Sequence, residues 1–454
     1  MKLFGMSLLQ SLLGIALVTA SVGCNREPDT NKVSGDVKTR IPVAAEGGDY
    51  SLQEVTLQGI TSLYELNGQF AKFYIYPAVV NNKITGTQPK TRFIKSSDLY
   101  VAADELSQQM TVIYNHLQNL AALDTEVGAG GVNTWPRDVG VAVRYRRGDN
   151  FDANNAFYDG PTDAILVVPY TQNNLPIAVN AGILAHEHFH SLYYKLVEKE
   201  MFDKETKPLH GQKVREAVLG GSIVGDSLNV SKVETPDGEI ERYHRVFSRG
   251  INEGLADFWA WVYTGDANFL KRSLPSEEKD RTLDLTEKEV ENYKFPNKDD
   301  FSARLAMARV ATFFDGTKNP CGGDRVAYCL GTDYARTLKR FANVVETSRG
   351  LTSIEARKLV ATAVVKTLPS LRTEILKYKN NEYFSPEHFF TMLQTSMDGI
   401  HGDERAFLEG IVDKSQGTVH GKAKAAPASL RPSDEDHQNP TATIKPFPVA
   451  VGGE

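Results

Sequence analysis

The stretch Ile183-Leu184-Ala185-His186-Glu187-His188-Phe189-His190-Ser191-Leu192 decides how the rest of the chain is read. Its apolar residues follow a helical pattern, and His186 and His190 stand four positions apart. On a helix that spacing puts both imidazoles on one face, one turn apart, where they can hold a single metal ion. Glu187 is rotated by about 100° from His186, which suits a group that addresses a water on the ion rather than the ion itself. His188 points about 200° round the helix from His186 and is expected to make structural hydrogen bonds instead.

HExxH is short enough to arise by chance, so it needs a third ligand and an open position for water. Ile251-Asn252-Glu253-Gly254-Leu255-Ala256-Asp257-Phe258 supplies a candidate, with Asn252 lying 62 positions after His190. Glu253 and Asp257 share one helical face. Glu253 is the candidate third ligand, and Asp257 can accept the second ring N–H of a ligand histidine.

With these residues in place the chain resembles the gluzincin zinc metallopeptidases, in particular the thermolysin-like and fungalysin-like branch. A third element carries the resemblance further: Asn154-Asn155-Ala156-Phe157-Tyr158-Asp159-Gly160 is similar to that family's edge strand. The resemblance implies that Asn155 and Ala156 bind substrate backbone as an added strand. It also implies one zinc ion on His186, His190 and Glu253, a bound water with a pKa near 7, and Glu187 as general base. The expected reaction is peptide-bond hydrolysis, by an endopeptidase rather than an aminopeptidase, since no Gly-x-Met-Glu-Asn element is present. The three elements span residues 98–263.

The chain departs from the family in two places. The stretch between the histidines and Glu253 is much longer, and no motif matches the family's oxyanion histidine. Tyr334 is the expected substitute, since a phenol can donate to an oxyanion, with His244 and then Arg336 behind it; His388 and His401 sit in unrelated contexts. The alternative function is therefore a peptidase fold kept as a binding module, catalytically weak or inactive. Calcium has no Asp-rich loop to support it, residues 149–155 being the best available.

The 454 residues suffice for more than one sizeable core. The expected fold class is α+β and thermolysin-like: an N-terminal sheet-plus-helix lobe over 51–200, a C-terminal helical lobe over 251–414, and the zinc site between them. Strands are expected at 51–60, 70–80, 139–145 and 164–168. A helix capped by Asp98 is expected to run to about Leu123, and Ser385-Pro386 reads as another helix start. Residues 201–250 read as an insertion, with a hairpin over 228–247 turning at Pro236-Asp237-Gly238. Residues 24–50 read as a flexible tether and 415–454 as a disordered tail.

The address comes from the N-terminus. Lys2, an apolar run from Leu3 to Val18, and small residues leading to Cys24 resemble a bacterial lipoprotein signal over 1–23. That implies lipid on Cys24 and a place in the cell envelope, with Asn25 favouring the outer membrane. Cys321 and Cys329 then remain as an even pair, expected to form a disulfide. A net charge of −6 without a basic cluster argues against nucleic acid. The expected partners are a peptide or protein substrate and, through the anchor, a membrane; oligomeric state is not legible.

Overall fold

The computed structural model describes residues 30–199, 236–314, 325–377 and 382–416 together with Cys321, apart from positions 47, 81–82, 144–145, 148–149 and 152. The signal segment, Cys24, most of the 201–250 insertion and nearly all of the tail lie outside the described residues. What is described is a mixed α and β structure, with its strands in the first 170 residues and helices dominating from residue 236 onward.

The first sheet joins β1 (Gly35–Ala44), β2 (Tyr50–Ser62), β3 (Asn67–Gly68), β6 (Phe93–Ser96) and β7 (Leu99–Ala102), in the order β3-β2-β1-β7-β6. The expected tether is thus replaced from residue 35 by a ten-residue strand. Its reason is local: Val37, Thr39 and Ile41 alternate inward while their neighbours face out. Structure is present even earlier, in a turn at Thr30–Lys32 whose Thr30 is buried.

The second sheet holds β4 (Ala71–Val80), β5 (Lys83–Thr87), β8 (Arg137–Val141), β11 (Ala156–Asp159) and β12 (Ala164–Val167), in the order β11-β12-β8-β4-β5. Here β4, β8 and β12 run parallel, and the outer strands antiparallel to them. The pairs Arg146–Arg147 (β9) and Asn150–Phe151 (β10) form a small separate ribbon. Helix α1 (Glu105–Glu126) packs its Met110, Ile113, Tyr114 and Leu117 into a core shared by the two sheets. It starts later than expected. Leu99–Ala102 is β-branched and aromatic enough to pair as β7, so the cap is Asp104, which accepts from Ser107 N at 2.8 Å. Asp98 instead pairs with Lys38.

The motif helix α2 (Ala181–Tyr193) is buried nearly all round and straddles two cores. Ile183 and Leu184 join the sheet core, while Ala185, Phe189, Leu192 and Tyr193 join the core of the helical region. That division places its polar face at the junction of the two. Asn180 caps the helix, accepting from the N–H groups of Gly182 and Ile183 at 3.0 and 3.1 Å.

Helix α3 (Pro236–Thr264) lies against α2 and replaces the second strand of the expected hairpin. Pro236 opens the helix, a position where its missing N–H costs nothing. Tyr243, Phe247, Ile251 and Leu255 then recur at one-turn spacing, all buried. The remaining helices are α4 (Pro275–Arg281), α5 (Glu287–Asn292), α6 (Lys298–Phe314), α7 (Val326–Arg349), α8 (Ser353–Lys377), α9 (His388–Ser396) and α10 (Gly402–Gln416). The start of α9 lies beyond the expected Ser385-Pro386, its cap position being Glu387. Thr352 and Glu355 form a reciprocal cap at the start of α8.

Helices α3 and α7 cross in direct backbone contact. A Cβ added to Gly254 would lie 2.3 Å from the carbonyl oxygen of Gly331, so two backbones touch where any side chain would part them. The Cys321–Cys329 disulfide is present and joins α7 to the segment just before it.

Candidate metal centre

Asn180 binds the start of α2 to the loop that follows α3. Its Nδ2 donates to Phe269 O at 2.8 Å and to Ser273 Oγ at 2.9 Å, besides capping the helix. The helix is thereby fixed at the end that leads into His186.

His186 and His190 project from α2 so that their Nε2 atoms lie 3.0 Å apart. Glu253, arriving on α3, places Oε2 3.3 Å from His186 Nε2 and 4.0 Å from His190 Nε2. Ligand atoms on one tetrahedral zinc, at bonds of about 2.0–2.1 Å, stand about 3.3 Å from each other. The spacing of these donors fits that geometry. Each imidazole is also oriented from behind. Nδ1 of His190 meets Asn252 Oδ1 at 2.9 Å. Nδ1 of His186 lies 2.9 Å from Asp257 Oδ1, at ion-pair distance though off the line of a hydrogen bond. The Asn252 bond places the His190 ring proton on Nδ1 and turns its Nε2 lone pair toward the shared point, and the Asp257 carboxylate favours the same tautomer of His186 by charge.

The charges follow the same logic. Burial alone would lower the His186 imidazole, but Asp257 and Glu253 raise it to about 9. Burial and the neighbouring His186 lower His190 to about 4. The carboxylates of Asp257 and Glu253 thus favour positive charge at this point. Burial opposes the charge on Glu253, yet the two histidines hold its carboxyl well below the usual range.

Glu187 is the other carboxylate within reach, and with His186 and His190 it forms the group of close metal-ligating side chains found among the described residues. Two observations separate it from Glu253. Its Oε2 accepts from Tyr158 N at 3.0 Å, tying it to β11. Burial, opposed by His186 and helped by Glu253, raises its carboxyl to about 7. A carboxylate held ionised suits a ligand, and one poised near neutrality suits a proton carrier.

These residues line an open cleft of about 580 Å³. Asn155, Ala156 and Phe157 form one rim. β11 is the sheet's edge among the described residues. Because Tyr158 N faces Glu187, strand alternation turns the backbone of Ala156 to the same side. Phe269, Leu270 and Leu274, with Ile177 and Ile183, make an apolar wall.

Two cleft residues carry no sequence signal. Arg281, at the end of α4, donates to Asp257 through Nε at 3.1 Å and through Nη2, and its Nη2 stands 3.8 Å from Glu253. Tyr328, near the start of α7, receives a hydrogen bond from Arg249 Nη2 at 3.2 Å. The charge on Glu253, then burial, raises its phenol, which keeps its proton.

Several expected site residues lie elsewhere. Tyr334 is fully buried and donates to Pro386 O at 2.6 Å, so it is a core residue and not an oxyanion donor. Arg336 spends its Nε on Thr282 O. His244 is not among the residues that line the cleft. His188 meets Asp124 at 3.0 Å in a buried pair over which Trp135 stacks. Asp149 and Asp152 of the weak calcium loop lie outside the described residues.

A scan against protein-family models finds no match, and a search of curated proteins finds no similar one.

Proposed function

We propose that this chain is a zinc-dependent endopeptidase of thermolysin-like fold, exported to the bacterial envelope and anchored by lipid on Cys24. The observation that carries the proposal is the set of three donors, His186, His190 and Glu253, at zinc-like spacing beside β11, the edge strand of its sheet among the described residues. A plain structural cluster explains the donors but leaves the adjoining peptide-sized rim without a purpose.

Zinc on these residues would supply Lewis-acid polarisation and a water acidified to near pH 7. The chain's own groups do the rest. Asn155 and Ala156 hold the substrate backbone as an added strand, with its scissile carbonyl over the histidines. Glu187 takes a proton from the attacking water and passes it to the departing nitrogen. Tyr158 N keeps that carboxylate aimed, and Asn252 and Asp257 keep the imidazoles aimed. The apolar wall of Phe269, Leu270 and Leu274 gives a side chain beside the scissile bond a dry place to sit.

Glu187→Gln tests the assignment with metal analysis beside it. Zinc content should stay near one per chain while cleavage of a quenched-peptide library falls by about 10²–10⁴-fold. Near wild-type turnover in that variant would remove Glu187 from the chemistry. A wild type that takes up zinc and cleaves nothing would instead point to a binding module.

A further inference from the structure

We propose that the Tyr328 hydroxyl donates the hydrogen bond that stabilises the substrate's developing oxyanion, and that Arg249 positions it. The proposal rests on the zinc-peptidase reading above. Tyr328 faces the same cleft as His186, Glu187, His190 and Glu253. What places it there is the tight crossing of α3 and α7. Tyr328 precedes Gly331 by three residues, and a Cβ on Gly331 would stand 3.3 Å from Cβ of Glu253. The contact that fixes Glu253 therefore also fixes the turn bearing Tyr328.

The direction of the Arg249 bond decides what the phenol can do. An arginine only donates, so the Tyr328 oxygen is the acceptor and its own proton remains to give. No acceptor for that proton is found among the described residues. The guanidinium groups of Arg249 and Arg281 also lie 5.1 and 4.8 Å from the ring centroid, so two cations steady the ring. Cys329, the next residue, is bonded to Cys321, so the chain entering this turn is covalently closed.

Arg281 is already committed to Asp257, and Tyr334 and Arg336 to backbone carbonyls. In the step itself the water oxygen bonds to the carbonyl carbon, the C–N bond breaks, and Glu187 moves the proton to nitrogen. Tyr328 transfers nothing: its O–H bond shortens the distance to an oxygen that is gaining charge, and the benefit exists only in the transition state.

Tyr328→Phe tests this by removing one oxygen. The expected result is a loss of about 10²–10³-fold in kcat with KM within a few-fold. Zinc content should be unchanged, and calorimetry should show a phosphonamidate peptide, which mimics the tetrahedral oxyanion, binding weaker by a similar factor. Arg249→Met should lose about tenfold in kcat, and Arg249→Lys should recover most of it. Wild-type zinc uptake and cleavage together with an unimpaired Tyr328→Phe would overturn the assignment alone. A wild type that neither takes up zinc nor binds the phosphonamidate would overturn the peptidase reading and this one with it.

Discussion

His116 shows how a single buried side chain makes the fold answer to pH. It lies at 2% exposure on α1, with Nδ1 2.8 Å from the Tyr263 hydroxyl and Nε2 without a hydrogen-bond partner among the described residues. Burial lowers its pKa to about 4. The unfolded chain, with an ordinary imidazole near 6.5, therefore binds more protons than the folded one between those values. The neutral-histidine contribution is complete above pH 6.5 and is lost as the pH falls toward 4, amounting to roughly 3 kcal/mol. Urea unfolding followed from pH 7 to pH 4 should show a decline that is smaller by that amount in His116→Gln. Equal slopes for the two proteins would show that the histidine is protonated at no cost.

Among elements, the α3–α7 crossing is the joint on which the site depends. Gly254→Ala puts a methyl group 2.3 Å from Gly331 O and 2.7 Å from its Cα, both backbone atoms that cannot turn aside. A loss of about 1–3 kcal/mol is expected from the overpacking. If zinc binds as proposed, its affinity should fall too, because Glu253 is the preceding residue. Gly410→Ala, on α10 with nothing within 4 Å of the new methyl, is the control and should stabilise by up to about 1 kcal/mol. If thermal melts rank the two variants the other way, the crossing is looser than it looks.

The same elements explain what could be read from sequence. The histidine pair and Glu253-to-Asp257 were legible because each is a one-turn repeat within a single helix. Tyr328 and Arg281 were not, since helices separated by dozens of residues deliver them and nothing around either marks it. The hairpin expected over 228–247 fell to a conflict in which Asp237-Gly238 offered a turn. Tyr243, Phe247, Ile251 and Leu255 offered a buried helical stripe, and burial of four large side chains outweighs a local turn preference. β1 was hidden differently, its alternating Val37, Thr39 and Ile41 being diluted by charged neighbours on the solvent side.

At the scale of the whole molecule, the sheets and the helical region each have their own core, and the motif helix belongs to both. Opening one region against the other would have to move Ile183 and Leu184 relative to Phe189 and Leu192, which share one rigid helix. His186 and His190, the proposed ligands on that helix, should therefore keep their spacing whether or not a peptide is bound.

That the chain is already packed into the body at residue 30 has a consequence for where the proposed enzyme could work. The Thr30–Lys32 turn is followed by Val33, whose carbonyl accepts from Leu63 N at 3.1 Å, so the body is gripped from residue 30 onward. Five residues lie between Cys24 and Thr30, so the leash of six residue steps spans at most about 20 Å at full stretch. A 26-residue tether would have allowed about 90 Å at the same rise per residue. Held by a lipid on Cys24, the cleft could patrol only a thin layer over the bilayer. Reporter peptides displayed on rigid stalks of graded height should be cut at the short heights alone, and twenty Gly/Ser residues inserted after Arg26 should carry cutting to the taller ones. An unchanged height profile would mean that the leash does not set the range.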